Sequence, residues 1–248
     1  KEKAVSPDVL MMSATPMPRT YALTLYGDTD VSSIKSMPKG RIPVETKVIK
    51  PSELKQALET IYEALKSRHQ AYVISPMIEE NDETDYTNVY DLKDKFELAF
   101  KNYKVGILHG KMTPDEKDKV MVDFKEGKIN ILISTTVIEV GVDVKNASVM
   151  VIFDADRFGL STLHQLRGRV GRGSIKSYCF LICDKDKERL NIMVETNDGY
   201  KISEEDFKLR GEGDLFGNRQ SSMLSFKLSD VRRDYDLIVK VKNDVDNI

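Results

Sequence analysis

The sequence predicts an α/β protein, one parallel sheet with helices on both faces, followed by a small helical hairpin and loop. Two observations predict it. Apolar runs of strand length alternate with stretches of helical period from residue 52 to about residue 184. Strands that alternate with helices in this way give a parallel sheet covered on both faces. After Asp184 the strand pattern stops while helical spacing continues.

The elements follow in order. Val9 to Met12 is an apolar run ending in Ser13-Ala14-Thr15-Pro16, a strand entering a loop. Residues 27–51 carry Gly27, Pro38, Gly40, Pro43 and Pro51 with little periodicity and are expected to be an inter-lobe linker. Ser52 is expected to cap a helix whose apolar face is Leu54, Ala57, Leu58, Ile61, Tyr62 and Leu65. Ala71 to Met77 is a strand, Glu79 to Asn88 an acidic surface loop, and Val89, Leu92, Phe96, Ala99 and Phe100 mark the next helix. Lys104 to Leu108 is a strand. Thr113-Pro114-Asp115-Glu116 opens a helix with a capping box and a first-position proline, and that helix ends near Gly127. Strands are expected at Ile129 to Ser134, Ser148 to Phe153 and Ser177 to Cys183, with Ser161 capping a helix that carries His164 to Val170. Beyond the sheet, Lys187 to Glu195 reads as a helix and Asn197-Asp198-Gly199 as a turn. Ser203 with Asp206 starts another short helix, Gly211 to Gly217 forms a glycine-rich loop, and the tail from Ser229 is charged and helical. Three domains are expected: 1–51, 52–184 and 185–248.

Bulk properties exclude some classes. Hydrophobic residues make up 40% and charged residues 31%, an ordinary globular balance. No run approaches the roughly 20 apolar residues of a membrane span. Net charge is −2, against a uniformly basic nucleic-acid coat but not against a local basic strip. Cys179 and Cys183 share a strand face about 13 Å apart, too far for a disulfide. No His or Cys cluster completes a metal site, and the cysteines are expected to be buried thiols of a cytoplasmic protein. Lys1-Glu2-Lys3 lacks an initiator Met, so the chain is expected to start inside a longer protein.

The strongest chemical signal is Gln165-Leu166-Arg167-Gly168-Arg169-Val170-Gly171-Arg172-Gly173. Three arginines spaced by glycines suit a clustered polyanion, because arginine stays charged and binds phosphate oxygens in pairs. Alone, the stretch would read as a solvated basic turn; the strand-rich frame favours phosphate handling. The second signal is Ser134-Thr135-Thr136 at a strand end, followed by Gly141-Val142-Asp143. Open α/β sheets bind ligands there, though an ordinary strand with a capped helix reads equally well. Ser13 to Thr20 and His109-Gly110 are weak signals that also suit a polar turn and a structural histidine. Glu139 and Asp143 are separated by Gly141 and are not read as a catalytic carboxylate pair.

The serial order of Ser13-Ala14-Thr15-Pro16, Ile107-Leu108-His109-Gly110, Ser134-Thr135-Thr136 with Gly141-Val142-Asp143, and Gln165 with Gly168-Arg169 and Gly171-Arg172 resembles the later motifs of superfamily 2 helicases. Within that group the chain resembles the RecG family. Met12 to Thr20, Tyr26-Gly27-Asp28, Pro38-Lys39-Gly40-Arg41, Arg157-Phe158-Gly159-Leu160 and His164 to Arg169 carry that resemblance. Leu209 to Ser221 resembles the helical hairpin and loop that the family shares with the transcription-repair coupling translocase. Ser222 departs from the glycine usual there.

The resemblance implies two RecA-like lobes, with ATP, Mg²⁺ and DNA in and across the cleft, and a cytoplasmic, monomeric enzyme that remodels branched DNA such as forks and Holliday junctions, with single-stranded-DNA-binding protein as a further partner. It implies that Arg169 and Arg172 act as arginine fingers and that Gln165 couples nucleotide state to lobe closure. It implies that Gly141 and Asp143 line the nucleotide side, and that Ser75, Thr135 and Thr136 meet the DNA backbone. Ser13 and Thr15 would couple the two sites, and Arg210, Arg219 and Gln220 would carry lobe motion to the branched end. The sequence carries no Gly-x-x-x-x-Gly-Lys-Ser/Thr loop, and the acidic boxes at Asp82 and Asp115 follow no apolar strand. The lysine and Mg²⁺ ligands of phosphoryl transfer are therefore expected upstream, and this stretch alone is expected not to hydrolyse ATP. Two rivals remain: the transcription-repair coupling translocase, disfavoured by Tyr26-Gly27-Asp28 and Pro38-Lys39-Gly40-Arg41, and a non-catalytic nucleic-acid-binding scaffold, disfavoured by an intact Gln165, Arg169 and Arg172.

Overall fold

The computed structural model describes residues 32, 40–76, 82–135, 144–185 and 187–215, with backbone alone at 82–88, 187, 207–208 and 210–215. Two units divide it: residues 36–197, and residues 1–35 with 198–248.

In the first unit six parallel strands form one sheet: β1 (Glu45–Ile49), β2 (Gln70–Ile74), β3 (Val105–Leu108), β4 (Ile131–Ser134), β5 (Ala147–Ile152) and β6 (Tyr178–Ile182). Their order across the sheet is β1-β6-β5-β2-β4-β3. Five helices accompany them: α1 (Leu54–Lys66), α2 (Asp82–Ala99), α3 (Pro114–Lys125), α4 (Leu160–Arg167) and α5 (Lys187–Glu195). Side chains alternate across the strands. Ala71, Val73, Ile131, Ile133, Val149, Val151, Phe180 and Ile182 pack with Ala57, Ile61 and Leu65 of α1 and Val89 and Phe96 of α2 in one core. The opposite face carries the row Thr46, Cys179, Met150, Tyr72, Leu132 and Gly106 across all six strands. Phe124 of α3 meets Tyr72 edge-on at 4.8 Å, and Arg167 of α4 donates to Thr46, so both helices lie on this second face. The expected fold, a parallel sheet with helices on both faces, is therefore observed.

Several local expectations change. The 27–51 linker contains β1, which pairs with β6 as an edge strand. Its five residues, Glu-Thr-Lys-Val-Ile, alternate too weakly to stand out among prolines and glycines; only burial against β6 and α5 makes them a strand. Ser52 sits within a 3-10 turn (Pro51–Glu53) rather than capping α1, and the Glu53 carboxylate accepts the Lys50 N–H at 2.8 Å. Tyr62, expected on the buried face, is 49% exposed, with the Lys66 ammonium 5.5 Å from its ring centre. The acidic loop ending at Asn88 is helical from Asp82. Ser161 lies inside α4, whose N-cap is Gly159 and whose last helical residue is Arg167, so Arg169 and Val170 stand beyond the helix.

The second unit is described chiefly by α6 (Gly199–Leu215). The Asp198 carboxylate accepts the Tyr200 N–H at 2.9 Å, an N-cap that satisfies an otherwise orphaned helix donor. Ser203 and Asp206 are therefore interior to a helix that began four residues earlier, and residues 211–215 are helical rather than loop.

Candidate functional site

The carboxyl ends of the strands form a continuous edge. Cys183 N–H donates to Ile49 O at 3.0 Å, Phe153 N–H to Ile74 O at 2.9 Å, Ser75 N–H to Ser134 O at 2.9 Å and Thr135 N–H to Leu108 O at 3.2 Å. These bonds bring Ser75, Thr135 and His109 side by side at the ends of β2, β4 and β3. Ser75 and Thr135, expected together, are together. The Thr135 hydroxyl is buried and has no hydrogen-bond partner among the described residues. A buried hydroxyl left unsatisfied costs about 1–3 kcal/mol, so it marks a place where an external acceptor or donor would be welcome.

The arginine-glycine stretch resolves into three different jobs. Arg167 is 2% exposed. Its guanidinium donates to Met193 O at 2.6 Å, Thr196 O at 3.0 Å and Thr46 Oγ1 at 3.3 Å, and meets His164 Nδ1 at 3.1 Å. It thereby satisfies carbonyls at the end of α5, and burial holds its pKa below the ordinary arginine value. The reading of three phosphate-facing arginines is corrected here, because Arg167 faces inward. Arg172 is half-buried and its Nε donates to Gly168 O at 3.1 Å, which folds it back over the turn. Arg169 is half-buried and no acceptor engages its guanidinium among the described residues; Gln165, one turn earlier, is exposed. Gly171 has φ +69°, and a Cβ there would lie 2.7 Å from Val44 Cγ2, so only glycine fits. Its carbonyl accepts Arg41 Nε at 3.0 Å, which ties the turn to the segment before β1.

His109 is buried, with the Tyr90 ring 5.9 Å away. Burial, then the nearby Lys117 charge, holds its pKa below 6.5; Glu116 opposes and Lys111 adds to the lowering. This favours the neutral form of the imidazole at the β3 end. Lys117 Nζ donates to Gly110 O at 3.0 Å and fixes the turn after it. Sequence reasoning missed Arg41 and Arg189 as turn clamps, since each acts across more than 30 residues and leaves no local pattern. Ser13, Thr15, Thr136, Gly141, Asp143, Arg219 and Gln220 lie outside the described residues, as do the side chain of Arg210, residue Ser222 and the tail from Ser229. Among the described residues no helix is long and apolar enough to cross a membrane, and no group of three or more His, Cys, Asp or Glu is arranged to hold a metal.

A parallel sheet with helices on both faces, carrying the Ser75 and Thr135 hydroxyls at its carboxyl edge, is an open α/β lobe of the kind that takes ligands at that edge. The helicase conserved C-terminal domain matches residues 51–174, and the chain belongs to that family. Residues 196–248 match the C-terminal part of domain 3 of the ATP-dependent DNA helicase RecG. Over its length the chain is similar to RecG of Bacillus subtilis (49% identity, 100% of the chain, 37% of the relative) and of Streptococcus pneumoniae (50%, 98% and 37%). It thus spans little more than a third of these relatives. A RecG solved bound to a three-way DNA junction superposes with a TM-score of 0.73 at 41% identity, over 92% of this chain and 30% of that one. A Dbp5 variant of S. cerevisiae solved with RNA and ADP BeF3 matches at 20% identity and a TM-score of 0.51, over 92% of this chain and 51% of that one, which supports the RecA-like lobe fold alone.

Proposed function

We propose that this chain is the C-terminal motor portion of an ATP-dependent DNA helicase that remodels branched DNA. One observation carries the reading. In a lobe of helicase type, Arg169 stands unengaged just past α4, while Arg167 and Arg172 on either side are committed to backbone carbonyls. An unpaired, half-exposed guanidinium held on a turn that only glycine permits is suited to a phosphate arriving from outside.

The domain plan is an end of a first lobe with its linker, a second lobe enlarged at its start to take in β1, and a C-terminal hairpin element. ATP and Mg²⁺ would be held mainly by a first lobe; ATP supplies the phosphoanhydride bond whose cleavage drives movement. Arg169 would meet its terminal phosphate as a finger, with Arg172 beside it, Gln165 sensing the nucleotide, and Gly141 and Asp143 lining that side. Ser75, Thr135 and Thr136 would meet DNA phosphates, which position a protein without reading sequence. Ser13 and Thr15 would couple the two, and Arg210, Arg219 and Gln220 would relay motion to the junction. A monomer acting in the cytoplasm, with single-stranded-DNA-binding protein as a partner, completes the reading.

The test is ATPase activity of the full-length protein with and without a three-way junction. Junction-stimulated hydrolysis is expected, falling by about 10³–10⁵ in Arg169→Ala with folding stability within about 0.5 kcal/mol of wild type. Unchanged hydrolysis in Arg169→Ala would sink the finger role, and absent stimulation in the wild type would sink the helicase reading.

A further inference from the structure

We propose that Arg157, on the turn leaving β5, is a contact for the backbone phosphates of nucleic acid. The proposal rests on the helicase reading above and extends its DNA-facing residues to a position that reading leaves unused. Three independent features point there.

The first is topology. β5 and β2 are neighbours, joined at their ends by the Phe153 N–H to Ile74 O bond immediately before Ser75. The connection leaving β2 passes through α2 on one face of the sheet, and the connection leaving β5 passes through α4 on the other. Chain direction therefore diverges between these two strands, and the crevice at such a divergence is where open α/β sheets take ligands.

The second is construction. Asp154 adopts a left-handed conformation, φ 45° and ψ 50°, uncommon outside glycine, and the chain then makes a 3-10 turn, Ala155–Arg157. Ala155, Phe158 and Leu160 are buried beneath it. Arg189 Nη2 donates to Asp156 O at 2.6 Å and Phe158 O at 2.9 Å from α5. The turn is clamped from below, and Asp154 and Arg157 are its exposed residues.

The third is availability. Arg41, Arg167, Arg172 and Arg189 each donate to a backbone carbonyl. Arg157, Arg169 and Arg68 have no such partner among the described residues, and of these three Arg157 alone stands at the carboxyl edge: Arg68 precedes β2, and Arg169 is on the turn whose Gly171 meets Val44 and Ser177, just before β1 and β6. Arg157 and Arg169 lie beyond opposite ends of α4, whose eight residues span about 12 Å. They therefore serve different phosphates. Arg169 belongs with the nucleotide in the reading above, and Arg157, on the turn that leaves the β5 end beside the β2 end, belongs with the DNA strand.

The experiment measures binding of a three-way junction to the full-length protein as a function of salt, for wild type, Arg157→Ala and Arg157→Lys. A thermal melt checks folding, and the KM for ATP is taken at saturating DNA. The expected result for Arg157→Ala is weaker binding on every DNA sequence, a log–log salt slope shallower by about one, an unchanged KM for ATP, and partial recovery in Arg157→Lys. An unchanged salt slope with tight wild-type binding overturns the proposal and leaves the helicase reading standing. A raised KM for ATP with an unchanged slope also overturns it, by moving the arginine to the nucleotide. A wild type that does not bind the junction overturns the helicase reading itself, and shows before any substitution is made.

Discussion

Arg167 and Arg169 are two residues apart and do opposite work, which makes them separable. Arg167→Leu strips hydrogen bonds from Met193 O, Thr196 O and Thr46. Buried acceptors left without donors should lower stability by about 2–3 kcal/mol, read as a lower urea midpoint at unchanged slope. Arg167→Lys should recover only part of this, since an ammonium cannot reproduce the planar fork. A midpoint within error of wild type in Arg167→Leu would refute the buried-clamp account. His109 gives a pH signature. Its folded pKa is depressed, so the unfolded chain takes up the proton first as pH falls. The stability it contributes is complete above the unfolded value of about 6.5 and is lost as pH drops toward and through the lower folded value. His109→Gln should flatten the pH dependence of stability over that window; an identical pH profile in the variant would contradict the assignment.

At the level of elements, α3 is the best-specified helix. Thr113 Oγ1 accepts the Glu116 N–H at 3.4 Å, the Glu116 carboxylate accepts the Thr113 N–H at 2.8 Å, and Pro114 occupies the first turn. The Thr113 bonds hold the Glu116 pKa below its usual range. Thr113→Ala should cost about 1 kcal/mol, seen as a lower melting temperature, and Thr113→Ser should restore most of it. An unaffected Thr113→Ala would mean that α3 is held by Met121 and Phe124 against the sheet rather than by its cap. β3 shows a different constraint: a Cβ at Gly106 would lie 2.8 Å from Ile129 Cδ1, so this edge strand is packed tightly where its partner turn crosses it.

For the whole molecule, the two cysteines report on the core. Cys179 and Cys183 are buried thiols outside any disulfide, and burial pushes the Cys179 thiol up to about 12. A thiol that is neither exposed nor ionised is a poor nucleophile. Native protein should therefore resist an aromatic disulfide reagent at pH 8 and release two equivalents from these positions once unfolded in urea. Rapid native labelling at Cys179 would show that the sheet opens locally without global unfolding.

Much of this was legible in the linear chain. The strands β2 to β6 are mostly apolar runs alternating with helical stretches, and such runs are buried best in a sheet covered on both sides. The Thr113 box and the Lys187 to Glu195 helix are local, so neighbouring residues suffice to specify them. The motif order, from Ser13 to Arg172, carried the family. Three features were decided only in three dimensions. β1 is too short and too mixed to be called a strand until β6 lies beside it. Tyr62 fits the apolar stripe of α1 by spacing, yet the helix buries Ala57, Ile61 and Leu65, and Tyr62 beside that row stays 49% exposed. Arg157, Arg167, Arg169 and Arg172 are the same residue type within sixteen positions; the motif resemblance singles out Arg169 and Arg172, and nothing local marks Arg167 as a clamp. Which carbonyls accept from each guanidinium separates clamp from contact, and those carbonyls come from segments as far away as Thr196. Local chemistry specifies elements; the partner of a long, charged side chain is a property of the packed whole.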